Sequence, residues 1–136
     1  STVTIMTTVN ILSLTTFVNF IENVMNLRNT YNASSEWNRI PLSINIMYWP
    51  PHLQCTLLDK ELRIEIANTI ENSCKAWLKY YSPEKHARIY LEEYDQIQRL
   101  CDYLRTTETS VEHRQDFTKT FPKFVNLLQE WNLQYV

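Results

Sequence analysis

The chain of 136 residues contains no glycine, and this absence limits its possible folds more than any other feature. Glycine normally makes up about 7% of a chain, and the common phosphate-binding loops and nucleophile elbows depend on it. Nucleotide-binding folds of the usual glycine-dependent kinds are therefore nearly excluded. Turns that need a positive φ fall to asparagine or aspartate, and Asn29, Asn32 and Asn38 are candidates for them.

Charge and cysteine content narrow the function classes further. A net charge of −2 gives no concentrated basic face, which argues against a nucleic-acid partner. No apolar run approaches the roughly 20 residues of a membrane-spanning helix, and no basic-then-apolar signal segment opens the sequence. Three widely spaced cysteines fit a reducing compartment better than a disulfide framework. We therefore expect a cytoplasmic protein without a membrane partner.

The first third of the chain has the pattern of a strand, a helix and a second strand. In the opening run VTIMTTVNIL, apolar Val3, Ile5 and Val9 alternate with other residues, which is the period of a strand. The run PLSINIMYW alternates in the same way, and Pro50-Pro51 should end it because proline cannot donate to a ladder. Between the two runs, after a possible cap at Ser13, apolar residues recur at helical spacing. This predicted helix face comprises Phe17, Val18, Ile21, Val24 and Met25.

The remainder of the chain has helical patterns. Asp59 is a plausible cap for one helix, and Ser82-Pro83 is predicted to end it and to start the next. Thr120 and Pro122 are predicted to start a last helix. The predicted core faces are Leu62, Ile66, Ile70, Cys74, Trp77, Leu78 and Tyr81; then Ala87, Tyr90, Leu91, Tyr94, Ile97, Cys101 and Leu104; then Phe121, Phe124, Val125, Leu128, Trp131 and Tyr135.

These patterns predict an α+β fold that is mainly α. One βαβ unit, with two parallel strands joined by a right-handed crossover, precedes three to four helices. The two strands could also be the end of a partial βα barrel. We expect a single domain over residues 1–136, with the βαβ unit in 1–51 and a helical part in 52–136.

A two-stranded sheet is marginal by itself, and we expect both of its outer edges to be unpaired. Either a second copy of the chain completes the sheet by dimerising through the strands, or the missing N-terminal part of a parent protein does. Because residue 1 is Ser rather than Met and a strand begins at once, the sequence favours a fragment of a larger protein.

In each strand, the alternate residues whose side chains lie on the opposite face are more polar. We call them the second phase, and they would face whatever completes the sheet. This phase contains no charged residue that could do acid–base work. The alternative is a solvent-exposed sheet face, which has the same periodicity. The residues of this phase are Thr4, Met6, Thr8 and Asn10 on the first strand, and Ser43, Asn45 and Met47 on the second.

Three segments, taken in order, resemble radical SAM proteins. TVTIMTTVNILSLTTFVNFIENV resembles a late barrel strand and the helix after it, and LSINIMYWPPHLQCTLLD resembles the next strand of that family, which ends at a proline. HRQDFTKTFPKF is similar to the segment that closes a subgroup of twitch-domain radical SAM proteins, frequent in phage and environmental sequences. The ordered resemblance covers most of the chain.

The resemblance implies a non-catalytic C-terminal segment that contributes late barrel strands and a helical cap to a radical SAM-like protein. The parent would hold an iron–sulfur cluster and S-adenosylmethionine. Such a cluster needs one compact CxxxCxxC loop, which Cys55, Cys74 and Cys101 do not form, so no cofactor is expected in this chain. The residues that the resemblance implies at the carboxyl-end mouth of the barrel, as substrate-lining candidates, are Thr7, Thr8, Asn10 and Asn45.

Two other functions remain open from the residues alone. The first is a stand-alone, mostly helical protein-interaction module that dimerises through its sheet. The second is a small hydrolase in which Cys55 is the nucleophile and His52 the base, although no third orienting group is evident. His52 and Cys55 also have the spacing of half a zinc site, but no second pair follows, so we expect no metal.

Overall fold

A computed structural model of the protein describes residues 1–49, 53–79 and 87–109, together with residues 115, 119, 121–123, 126 and 130. Its bounded elements are the strands β1 (Ile5–Val9) and β2 (Leu42–Ile46) and the helices α1 (Phe17–Tyr31), α2 (Lys60–Lys79) and α3 (Leu91–Thr106). Short 3-10 turns at Leu14–Thr16 and Cys55–Leu57 precede α1 and α2. The predicted α+β fold, mainly α, is confirmed.

The two strands are parallel, as predicted, and α1 connects them. In their register Ile5 lies opposite Leu42, and Val9 lies opposite Ile46. The N–H of Ile5 donates to the carbonyl of Pro41 at 2.8 Å, and the N–H of Met47 donates to the carbonyl of Val9 at 3.0 Å. The register places the apolar phases of both strands on one face, which packs on the core. Pro50-Pro51, the predicted end of β2, lies outside the described residues.

One hydrophobic cluster joins both strands to α1, α2 and α3. The predicted face of α1 is confirmed, apart from Val18, which is only partly buried. Its buried residues recur every three or four positions because that spacing keeps them on one side of the helix. Its main members are Val9, Leu14, Phe17, Ile21, Val24, Met25, Leu42, Ile44, Ala67, Ile70, Cys74, Ile97, Leu100, Cys101 and Leu104.

The buried face of α2 differs from the predicted one near the start of the helix. Leu62, which we expected in the core, is 44% exposed, whereas Arg63 is fully buried. Arg63 can lie there because its guanidinium donates to the carbonyls of Leu58 at 3.0 Å and Leu104 at 2.9 Å. A pattern of apolar residues cannot reveal a core position that an arginine fills. Ile70 and Cys74 are buried as predicted.

The start of α3 differs from the prediction. The helix begins at Leu91 rather than at Pro83, and Tyr90 before it has an extended backbone with φ −81° and ψ 156°. The N–H of Tyr90 donates to the Glu93 carboxylate at 3.2 Å, which satisfies a donor at the start of the helix. Leu91, expected in the core, is 75% exposed. Tyr81 and Ser82-Pro83 lie outside the described residues.

Much of the predicted last helix lies outside the described residues. Thr120, Phe124, Val125, Leu128, Trp131 and Tyr135 are among the positions not described. Phe121 and Pro122 are described and helical, as are Gln115 and Lys119. Helical backbone therefore occurs earlier in the chain than the predicted start at Thr120.

Candidate functional site

The outer edge of β2 is closed by side chains of α3. Leu42 and Ile44 direct their N–H groups away from β1, because amides on a parallel strand alternate between its two sides. The N–H of Leu42 donates to Glu93 Oε2 at 2.8 Å, and the N–H of Ile44 donates to Gln96 Oε1 at 2.7 Å. Two acceptors one turn apart on α3 thus satisfy the outward amides of Leu42 and Ile44, where a third strand would otherwise pair. The expectation that both sheet edges are unpaired is wrong for β2.

Glu93 is held at this edge by a buried ion pair with Arg28 of α1. Arg28 Nη1 donates to Glu93 Oε1 at 2.8 Å, and Nη2 donates to Oε2, so the pair is bidentate. The same guanidinium donates to the carbonyl of Ile40 at 2.8 and 3.0 Å and to that of Arg88 at 2.8 Å. Arg28 is fully buried and Glu93 is 5% exposed. One guanidinium therefore ties α1, the loop before β2 and the start of α3 together.

The outer edge of β1 has no such cover within the described part of the chain. Thr4, Met6 and Thr8 direct their N–H groups away from β2, and none of these amides donates to a described residue. The side chain of Met6 is 72% exposed and that of Val3 is 67% exposed. The sequence of β1, IMTTV, also lacks the charged residues that usually protect an open edge. The β1 edge is thus a template for a further strand.

A shallow, mainly apolar groove of about 250 Å³ lies between the end of α1 and the amino-terminal ends of the two strands. Leu27 and Tyr31 of α1 form one wall, and both are substantially exposed, at 43% and 54%. Val3, Ile5 and Ile40 form the other wall. In βα folds, the helix that accompanies a neighbouring strand packs at this level. Ser1 and Arg39 complete the lining, so the groove is mainly but not wholly apolar.

Two of the four predicted lining residues come together. Thr8 and Asn45 are partners in the strand register, and both are exposed on the face turned away from the core. Thr7 lies opposite Ile44 and is half-buried on the other face, in phase with Ile5. The assignment of these residues to a substrate site remains a prediction. Thr8 and Asn45 share one face of the sheet, and Thr7 lies on the other.

Asn10 has a structural task at the end of β1. Its Oδ1 accepts the N–H groups of Leu12 at 2.8 Å and Ser13 at 3.1 Å. Its own N–H donates to Ser13 Oγ at 3.1 Å. These bonds form an Asx-type turn, which redirects the chain from the strand into α1 without a glycine. The side-chain oxygen of Asn10 is therefore engaged in this turn.

The three cysteines are free, buried and neutral. Burial raises the pKa of Cys55 and Cys74 to about 12 and that of Cys101 to about 11. A nucleophilic or cluster-ligating cysteine must be a thiolate, which these sites disfavour. The buried, neutral thiol of Cys55 is therefore a poor nucleophile, which counts against the hydrolase hypothesis. His52, the proposed base, lies outside the described residues, as do His86 and His113.

We expect all three thiols to react slowly with a thiol-exchange reagent in the native protein at pH 8. Thiolate fractions at that pH are at least about 100-fold lower than those of exposed cysteines, and access is blocked as well. Without denaturant, the absorbance of the released reagent group should rise slowly. In about 6 M guanidinium, which unfolds the chain, it should rise rapidly to three thiol equivalents per chain. One equivalent that appears within seconds under native conditions would contradict the buried assignment.

Among the described side chains, no three His, Cys, Asp or Glu residues are grouped so that they could hold a metal ion. No helix in the described ranges has both the length and the apolar character needed to cross a membrane. Comparison with family models, with curated proteins and with solved structures finds no match to the chain in any of the three.

Proposed function

We propose that this chain is the non-catalytic C-terminal segment of a radical SAM-like protein, and that preceding strands of the parent pair with the β1 edge. The asymmetry of the sheet carries this proposal: Glu93 and Gln96 close the β2 edge, whereas the β1 edge is open. Sequential strands of parallel sheets are usually neighbours, so earlier strands belong beside β1 and none is required beside β2. The chain then contributes the last two strands, and α2 and α3 form a helical cap.

The two faces of the sheet support the same arrangement. The apolar phase packs on helices, as the outer phase of a βα barrel does, while Thr8 and Asn45 lie on the opposite, exposed face. In a partial barrel that ends at β2, that face would be the interior, and Thr7, Thr8, Asn10 and Asn45 stay the proposed residues of its mouth. The groove at the amino-terminal ends of the strands, lined in part by Val3 and by Ile5 of β1, offers apolar surface on which the helix of a preceding unit could pack.

The family part of the proposal is supported by the order and spacing of the three resembling segments. The iron–sulfur cluster and S-adenosylmethionine would belong to the preceding part, because Cys55, Cys74 and Cys101 form no CxxxCxxC loop. A reducing, cytoplasmic location and a phage or environmental origin accompany that assignment.

A second copy of the chain is the alternative occupant of the β1 edge, with the function of a self-associating interaction module. The observation in its favour is the uncharged edge with its exposed Val3 and Met6. Antiparallel pairing of two β1 strands would place Met6 opposite Met6 with no like charges in contact. Light scattering would then give twice 16.3 kDa at high concentration. A clean monomer at that concentration would count against this alternative.

Reading the gene upstream of Ser1 tests the parent protein directly. We expect further strand–helix units and a CxxxCxxC loop in frame. An in-frame stop codon without such a loop nearby would overturn the proposal.

The matching biochemical prediction uses Met6→Pro. The upstream segment, expressed with a tag, should retain the untagged wild-type chain, and Met6→Pro should abolish retention because proline cannot donate to an added strand. Since the N–H of Met6 has no partner within the described chain, Met6→Pro should keep the wild-type circular dichroism spectrum. Met6→Thr, which keeps the N–H, is the control and should be retained. Equal retention of all three would contradict pairing at β1.

A further inference from the structure

A second concave surface lies on the opposite side of the sheet from the β1 edge. It is a cleft of about 420 Å³ between β2 and α3, near the carboxyl end of β2. This volume is within the range of small-molecule sites, and ligands of open α/β sheets bind beyond the carboxyl ends of strands. Its described lining residues are Ile44, Asn45, Ile46, Tyr48, Gln96, Arg99 and Tyr103.

The polar side chains of this cleft include one cation and two amides. Gln96 accepts the N–H of Ile44 with its Oε1, which fixes the amide and leaves its NH₂ group without a partner among the described residues. Arg99 is exposed, and its guanidinium forms no ion pair with any described carboxylate, Asp95 one turn earlier included. The exposed side chain of Asn45 adds a second amide. No acidic residue is among the described lining residues.

The remaining wall is apolar and aromatic. The rings of Tyr48 and Tyr103 pack edge to face, with centroids 5.5 Å apart and an interplanar angle of 80°. Tyr48 is 58% exposed, so part of its ring is available to a ligand. Ile46, which is partly buried, adds to the apolar side, whereas the side chain of Ile44 packs in the core. Flat apolar groups gain from such contacts through burial and aromatic packing.

We propose that this cleft binds a small molecule that carries a carboxylate or phosphate on a flat apolar body. Arg99 and the amides of Gln96 and Asn45 bind the anionic group, and the ring of Tyr48 with Ile46 contacts the body. An arginine guanidinium suits both anions because its N–H groups match two oxygens at once. This site lies on the β2 side, so it is present whether or not a further strand occupies β1.

Titration of the ¹⁵N-labelled chain tests the site with defined probes. Benzoate and phenyl phosphate carry the two anions on the same ring, and benzamidine carries a cation on it. We expect benzoate or phenyl phosphate to shift the side-chain NH₂ signals of Asn45 and Gln96 and the Nε–H signal of Arg99. The stronger of the two probes identifies the preferred anion. Benzamidine should leave these signals in place. Shifts that are equal for benzamidine, or absent for both anions, would overturn the proposal.

Arg99→Gln supplies the matching variant. It should weaken binding of the preferred anion by at least about tenfold, since it removes a charge-assisted contact. Arg99 is exposed, so the variant should unfold at the wild-type temperature. Lys75→Gln removes one positive charge outside the cleft and is the control that should bind as the wild type does. Unchanged affinity in Arg99→Gln, or an equal loss in Lys75→Gln, would show that no specific site exists there.

Discussion

Replacing Glu93 by alanine should lower the free energy of unfolding by about 3–5 kcal/mol, the usual cost of breaking a buried ion pair. The variant leaves the Arg28 guanidinium buried without its carboxylate. It also removes the acceptor for the N–H of Leu42 and that for the N–H of Tyr90. Single domains are stable by about 5–15 kcal/mol, so this one change could leave little net stability. Urea unfolding followed by circular dichroism measures it.

Glu92→Ala is the matched control, because Glu92 lies in the same helical turn but is exposed. Its effect should stay within about 0.5 kcal/mol, as for most surface substitutions. Arg28→Met with Glu93→Leu should lose less than the sum of the two single changes, since no unpaired buried charge is left. A loss under about 1 kcal/mol for Glu93→Ala would contradict the central place given to this pair.

Replacing Arg63 by methionine should cost about 2–4 kcal/mol, because buried acceptors would lose their donor. Besides Leu58 and Leu104, the guanidinium donates to the carbonyl of Thr107 at 2.6 Å and to Thr109 Oγ at 3.0 Å. Carbonyls in the last turn of a helix have no intrahelical partner, and Arg63 supplies one for α3. The side chain therefore joins the start of α2 to the end of α3.

Chemical denaturation measures this change as well. Lys75→Met lies on the same helix, where Lys75 makes only a partly exposed pair with Glu71 at 3.5 Å. This control should change stability by no more than about 0.5 kcal/mol. Equal denaturation midpoints for Arg63→Met and Lys75→Met would mean that the buried guanidinium of Arg63 adds nothing to stability.

The strands and α1 were predictable from the sequence, since their apolar residues repeat with clear periods. Alternation in β1 and β2 gives the correct faces, and the parallel crossover follows from the intervening helix. The same alternation also predicts the face of Thr7, because Thr7 lies two residues from both Ile5 and Val9 and shares their face.

The residues that close the β2 edge were missed for a physical reason. Glu93 and Gln96 meet β2 only through tertiary packing, and Glu93 lies 65 positions from Arg28. One local signal did exist: Arg28 continues the apolar stripe of Ile21 and Val24 on α1. Arg63 likewise occupies the stripe of Ala67 and Ile70 on α2. An arginine on an apolar stripe indicates a buried charge, but its partner cannot be read from the sequence.

Amide hydrogen exchange on the dilute, isolated chain tests most directly whether β1 is the open edge of an incomplete sheet. We expect Met6 and Thr8 to exchange within about tenfold of unstructured rates, and Leu42 and Ile44 to be protected at least about 100-fold. Addition of the upstream segment of the parent should then slow Met6 and Thr8 selectively. Equal protection of Met6, Thr8, Leu42 and Ile44 in the dilute chain would contradict an open β1 edge.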